Sequence, residues 1–158
     1  MWRYLWITIT VIVLDQLTKY VAADYFLSHG ELNLLPFLNL ALVHNTGAAF
    51  GMLSQAGGWQ NVFFIAVALI ACIVILWIVS RLESKDLLLV SGLMLILGGA
   101  AGNLIDRLIH GYVIDFIDVY YRDWHWPAFN VADSAITVGA VILAFDALNL
   151  GTRRTRGL

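Results

Sequence analysis

The chain has 158 residues, 61% hydrophobic and only 13% charged, against about 25% charged in an average soluble domain, so much of its surface must face something other than water. A formal net charge of -2 provides no basic field for nucleic acid, which is excluded as a partner. The single cysteine, Cys72, rules out an internal disulfide or a CxxC site, and the four scattered histidines (29, 44, 110 and 125) lack the i, i+4 spacing of a helical zinc site. No metal and no other cofactor is expected.

Crossing a bilayer takes roughly 20 apolar residues in a helix, and four stretches approach this. The first runs from about Trp2 to Ala23 and is interrupted by Asp15 and Lys19. Its Val21–Ala23 end loosely imitates a signal-peptide cleavage site, but the run is long and carries two charges where such a segment stays apolar, so a retained helix is expected. A long connection, Asp24 to Gly58, follows. Within it Phe37 to Asn45 alternates enough to suggest a strand, and the tract Gly47 to Gly51 a turn. The second span, about Trp59 to Val79, carries no charge. After the short loop Ser80 to Asp86 the third covers about Leu87 to Ile105, which makes a tight antiparallel pair with the second. A second long connection, Asp106 to Asn130, leads to the fourth span at about Val131 to Leu150, with Asp133 near its start and Asp146 near its end.

Placing both termini inside puts Arg3, Arg81, Lys85, Arg153, Arg154 and Arg156 on the cytoplasmic side and leaves only Lys19, Arg107 and Arg122 outside, the bias that inserted chains show. The tryptophans (2, 6, 59, 77, 124 and 126) fall near span ends or in the second long connection, as interfacial anchors should. The expected fold is one membrane domain, residues 1–158, all-α with four N-in/C-in spans. A small β-like cradle and a loop or helix between spans three and four complete it on the outer side.

Ionisable groups in or beside a span are costly, and each requires a reason. Lys19 follows Asp15 by one turn, so an intrahelical ion pair and a direct role in a site are both open. In Gly98-Gly-Ala-Ala-Gly-Asn-Leu-Ile-Asp-Arg107, Asn103, Asp106 and Arg107 share a helical face, and the small residues permit close approach of a neighbour. One reading of Asp106 is an ion pair with Arg107. Asn130 lies one turn before Asp133, where it could cap the fourth helix. If the chain folds back, two carboxylates could meet in a low-dielectric site, share a proton and activate water against a peptide bond. Asp106, Asp115, Asp118, Asp123 and Asp133 all compete for that role, and spacing does not choose among them, although Asp123 reads as a solvated loop charge. Ser134 and Thr137 lack any elbow or dyad pattern of a nucleophile.

These motifs together resemble the lipoprotein signal peptidases (signal peptidase II), bacterial membrane aspartic proteases. The resemblance rests on Asp15-Gln-Leu-Thr-Lys19, His44-Asn45-Thr-Gly47-Ala-Ala-Phe50, Gly98 to Arg107, Val113-Ile-Asp115-Phe-Ile-Asp118 and Phe129-Asn130-Val-Ala132-Asp133-Ser134, in order over nearly the whole chain. It implies Asp115 and Asp133 as the catalytic pair. It implies Asp15, Asn45, Gly47, Asn103, Asp106, Arg107, Asn130 and Ala132 as substrate-binding or supporting residues. It further implies a monomer in the bacterial cytoplasmic (inner) membrane with its site near the extracytoplasmic face. Its partners would be membrane lipids, lipid-modified prolipoproteins cut just before the lipidated cysteine, and peptide antibiotic inhibitors such as globomycin. The rival readings are a proton-coupled transporter using Asp15, Asp133 and Asp146, and a structural membrane protein. The crowding of polar residues at one depth and the lack of an inverted repeat argue against both.

Overall fold

The computed structural model describes residues 2–47, 58–82 and 87–155, with side chains described as far as residue 148. Four helices are long and apolar enough to cross a membrane. After a single 3-10 turn at Trp2–Tyr4, α1 spans Leu5–His29; α2 spans Trp59–Arg81, α3 Leu87–Ile109 and α4 Val131–Thr155. All four outrun the apolar stretches that signal them. In α1 the hydrophobic run ends at Ala23, but nothing breaks the helix until Gly30, whose φ of 73° and N–H bond to the Phe26 carbonyl end it. At the end of α3, Gly111 supplies another positive φ, 82°.

Between the helices lie four strands in the order β1-β2-β3-β4: β1 Leu32–Leu35, β2 Leu38–Asn45, β3 Val113–Tyr121 and β4 Trp124–His125. All neighbours are antiparallel. The expected strand at 37–45 is β2. The expected turn at Gly47 to Gly51 lies, beyond Gly47, outside the described residues. The connection between α3 and α4 corrects the expectation of a loop or helix, because its longest element is the strand β3. Its Val, Ile, Phe and Tyr residues favour a pleated, half-buried surface. An all-α description is therefore too narrow: the bundle carries a sheet at one end. In the register, Val43 stands opposite Asp115 and Asn45 opposite Val113, with an irregularity between Leu40 and Val43. Phe129 bridges back to Ile117, and this return hydrogen-bonding feeds the chain into α4.

Two apolar clusters hold the parts together. Ile75 and Val79 of α2 pack with Val90, Leu93, Met94 and Leu97 of α3. Nearer the sheet, Ala22 and Phe26 of α1 pack with Phe116, flanked by Leu40, Leu42, Ile117 and Val131. The outward faces stay apolar, with Ile9, Val13, Leu17, Val62, Ile70, Ile73, Trp77, Val141 and Phe145 all exposed. Such a surface is stable against hydrocarbon and not against water.

Helix α3 is central and meets α1, α2 and α4. Its glycines set the distances. A Cβ at Gly98 would lie 2.7 Å from Val11 Cβ, one at Gly102 2.6 Å from Asp15 Oδ2, and one at Gly99 would overlap the Ala132 carbonyl oxygen. At the far end of β3, Asp118 takes Nδ1 of His125 at 2.9 Å, with the imidazole half exposed. Replacing His125 by Ala should cost less than about 1 kcal/mol in thermal unfolding, because an exposed pair contributes little.

Candidate active site

Helix α4 begins with a reciprocal cap. The Asn130 side-chain oxygen accepts the Asp133 N–H at 2.9 Å, and Asp133 Oδ2 accepts the Asn130 N–H at 3.2 Å. This arrangement satisfies two orphan amides and aims the Asp133 carboxylate at the helix's positive end. The remaining arm of Asn130, its amide nitrogen, donates to Asp115 Oδ1 at 2.7 Å. One asparagine thus binds both carboxylates, one through its backbone and one through its side chain.

The other oxygens are also held. Asn45 Nδ2 donates to Asp115 Oδ2 at 2.9 Å, and its own oxygen is fixed by the Gly47 N–H at 3.0 Å. Asn103 Nδ2 donates to Asp133 Oδ1 at 2.8 Å. Asp115 and Asn130 are almost completely buried. Burial, and next the neighbouring Asp133 charge, push the Asp115 carboxyl up to about 7, against the opposing pull of Asn45, Lys19 and Asn130. That places it near the pH at which a group can both hold and release a proton.

Behind this layer lies a second one. Lys19 bridges Asp15 Oδ2 and Asp106 Oδ2, each at 2.8 Å. Asp15 Oδ1 accepts the Ala132 N–H at 2.9 Å, Asp106 Oδ2 accepts the Ile114 N–H at 3.0 Å, and Gln16 Nε2 donates to Asp106 Oδ1 at 2.9 Å. Both readings of the Asp15–Lys19 spacing therefore hold: the intrahelical pair exists, and Asp15 also anchors the start of α4. Ala132, fully buried, sets its carbonyl against Gly99 and its Cβ against Gly102.

The reading of Asp106 as an ion pair with Arg107 is corrected. Among the described residues Asp106 pairs with Lys19 instead, because it points inward to α1. Arg107 packs over the Phe64 ring at 5.0 Å and donates to the Gly47 carbonyl at 3.3 Å. A cavity of about 560 Å³ opens beside this cluster, lined by Asn45, Gly47, Asn103, Arg107, Asp133 and the Trp126–Phe129 segment, with Ile136 and Val138 on its helical side. Asp115 does not line it and lies under the Asn45 and Asn130 amides that bind its oxygens. A second cavity of about 550 Å³ shares Asn45, Trp126, Pro127 and Ala128 with the first and continues to Asp118 and His125.

The residues that the family resemblance implies thus fall into two contiguous layers around Asp115 and Asp133, while two of the competing aspartates do not. Asp118 is engaged elsewhere, with His125. Asp123 sits in the turn between β3 and β4. Ser134 and Thr137 donate to the helix carbonyls of Asn130 and Asp133. Two further residues belong to this second layer: Gln16, and Lys19, which the sequence marks only through its spacing from Asp15. The i+4 spacing signals Lys19 as a partner of Asp15 only, and nothing local signals that Gln16 reaches α3.

A family model described as "Signal peptidase (SPase) II" matches residues 7–149. The chain belongs to the signal peptidase II family. It is 46% identical to a lipoprotein signal peptidase of Alteromonas mediterranea, over 97% of this chain and 84% of that one. It is 52% identical to one of Burkholderia thailandensis, over 98% and 90%. Two solved bacterial membrane enzyme structures superpose with TM-scores of 0.84 and 0.81, at 31% and 32% identity, each covering 94% of this chain and 89% or 94% of the other. The helical bundle and its sheet are therefore shared with those solved membrane enzymes, and by its family the protein is a peptidase.

Proposed function

We propose that this chain removes signal peptides from diacylglyceryl-modified prolipoproteins, cutting just before the lipidated cysteine, with Asp115 and Asp133 as an aspartic dyad. The observation that carries this reading is Asn130, which binds both carboxylates at once beside a cavity of about 560 Å³ that Asp133 lines. Two carboxylates so placed share a proton, and the pair titrates as a unit.

In the first step the ionised aspartate takes a proton from water while the hydroxide oxygen bonds to the scissile carbon. The protonated aspartate gives its proton to the carbonyl oxygen, leaving a neutral gem-diol. In the second step the proton gained from water passes to the leaving nitrogen, a gem-diol hydroxyl returns a proton to the other aspartate, and the C–N bond breaks. The dyad ends as it began. Asn45, Asn103 and Arg107 hold the substrate backbone and offset charge on the tetrahedral oxygen, and Gly47 and the second layer (Asp15, Asp106 and Ala132) keep these groups in place. The acyl chains lie against apolar helix faces.

Residues 1–158 act as one domain and as a monomer, since a single chain holds every group. The protein sits N-in/C-in in the bacterial cytoplasmic membrane with the sheet on the extracytoplasmic face, a placement supported by the distribution of basic residues. A cyclic peptide antibiotic such as globomycin would compete for the same cavity.

The test is cleavage of a lipidated prolipoprotein by purified protein in detergent. Turnover that persists in chelator and stops with globomycin is expected, whereas no cleavage by folded protein would overturn the assignment. The rate should also depend on pH. With the Asp115 carboxyl at about 7, the shared proton is lost as pH rises through that value. kcat/KM is then expected to fall about tenfold per pH unit on the alkaline side.

A further inference from the structure

The Lys19 ammonium is 2% exposed, in the interior of α1, and makes three contacts: Asp15 Oδ2 at 2.8 Å, Asp106 Oδ2 at 2.8 Å and Asn103 Oδ1 at 3.0 Å. Three donors meet three acceptors, so the group is fully satisfied. Two of these contacts are ion pairs that a purely structural lysine would make. The third does something else. An ammonium has no acceptor, so it dictates which end of the Asn103 amide faces it. The oxygen must turn to Lys19, and Asn130 Nδ2, also a donor, reaches that oxygen at 3.1 Å. The Asn103 NH2 is left pointing at Asp133 Oδ1, 2.8 Å away. A flipped amide would set its NH2 against two donors and its oxygen against a carboxylate.

Asp133 also sits in the first turn of α4 and accepts the Asn130 N–H there, a position that favours negative charge. Asp115 accepts the Asn45 and Asn130 side-chain amides but has no helix start behind it. It lies on a strand between Ile114 and Phe116, both buried. The other charges around the pair are Asp15 from α1 and Asp106 and Arg107 from α3.

We propose that Lys19 is a positioning residue of this peptidase, acting through the Asn103 amide to keep Asp133 the ionised member of the dyad, so that the shared proton rests on Asp115. The assignment builds on the proposed dyad and gives each aspartate a fixed first role. Asp133 takes the proton from water, and Asp115 protonates the carbonyl oxygen. The elevated Asp115 carboxyl, at about 7, agrees with a resting proton there.

Lys19→Met alone would strand two buried carboxylates and is expected to unfold the protein. The informative variant is Asp15→Asn/Lys19→Met. It removes one charge of each sign, leaving the net charge of the Asp15–Lys19–Asp106 trio unchanged while taking from Asn103 the charged one of its two orienting donors and leaving only the neutral Asn130 amide. The expected result is a fall in kcat of about tenfold with KM little changed, and an acid limb of kcat/KM moved upward by about one pH unit. Lys19→Arg, another donor-only cation, should keep the limb at its wild-type position. An unmoved limb in the double variant, with activity lost only in proportion to folded protein, would reduce Lys19 to a structural ion pair.

Proton placement has its own readout, the infrared band of protonated carboxyl groups at pH 6. Asp115→Asn should abolish the band contributed by the pair and Asp133→Asn should not; persistence in Asp115→Asn would put the proton on Asp133 and overturn the assignment. Retained cleavage in either Asn variant would instead remove the dyad itself, so the two failures are distinguishable.

Discussion

Asp115→Asn and Asp133→Asn should each lower turnover of a lipidated prolipoprotein by about 10²–10⁴-fold, the range for loss of a general acid or base. Both proteins should remain folded and membrane-inserted. Neither change is isosteric in hydrogen bonding. Asp115 accepts from Asn45 and Asn130, and Asp133 from Asn103 and the Asn130 N–H, so an amide nitrogen at either place faces a donor. That mismatch costs roughly 1–3 kcal/mol, which lowers the melting temperature without unfolding the chain.

The pH dependence of stability separates this cost from the titration. The Asp115 carboxyl rises from 3.8 to about 7 in the folded protein. Between those values the folded state retains a proton that the unfolded state releases, so stability falls as pH rises through the window and levels off above about 7. Asp115→Asn has nothing to titrate and should lack that slope. Thermal unfolding in detergent from pH 4 to pH 8 measures it, and an identical slope in both proteins would mean that Asp115 ionises normally.

The second large effect is expected from Gly99→Val. The added Cβ would overlap the Ala132 carbonyl oxygen, and the nearest side chain, Ile136, already stands 2.6 Å from the Cβ position. A backbone oxygen in a helix cannot step aside, so α4 must move off α3. The displacement separates Asn103 from Asp133 and strains the Ala132 N–H bond to Asp15. Overpacking typically costs about 1–3 kcal/mol, but the activity loss should be far larger, because catalytic geometry fails with a shift of about 1 Å. A melting curve together with a cleavage assay checks this. Wild-type activity in a folded Gly99→Val protein would show that the α3–α4 contact does not set the dyad.

The parts that proved legible share a physical origin. The four spans can be read because hydrocarbon enforces a length and a composition on any helix that crosses it, and each appears where its apolar run lies. The helices run past those apolar stretches because apolar composition stops at the interface while helical hydrogen bonding continues until a glycine such as Gly30 interrupts it. The segment after α3 illustrates the opposite limit. Its length and mixed character allowed a loop or helix, and only pairing with β2 makes Val113–Tyr121 a strand.

The candidate site divides in the same way. Asn130 as the cap of α4 is local, three residues from Asp133, and the sequence alone determines it, as it determines the membrane class and the small-residue face of α3. The proposed partnership of Asp115 with Asp133 is not local: spacing leaves five aspartates open, and the family resemblance and the Asn130 bonds to both carboxylates are what favour this pair. Asp106 turned from Arg107 to Lys19, and Lys19 came to serve Asn103 as well as Asp15, because α1 packs across α3 at glycines that bring their polar faces together. Side-chain periodicity reports which face a residue occupies and not what it will meet. That choice belongs to the tertiary structure, where a buried charge must find its partner or be expelled.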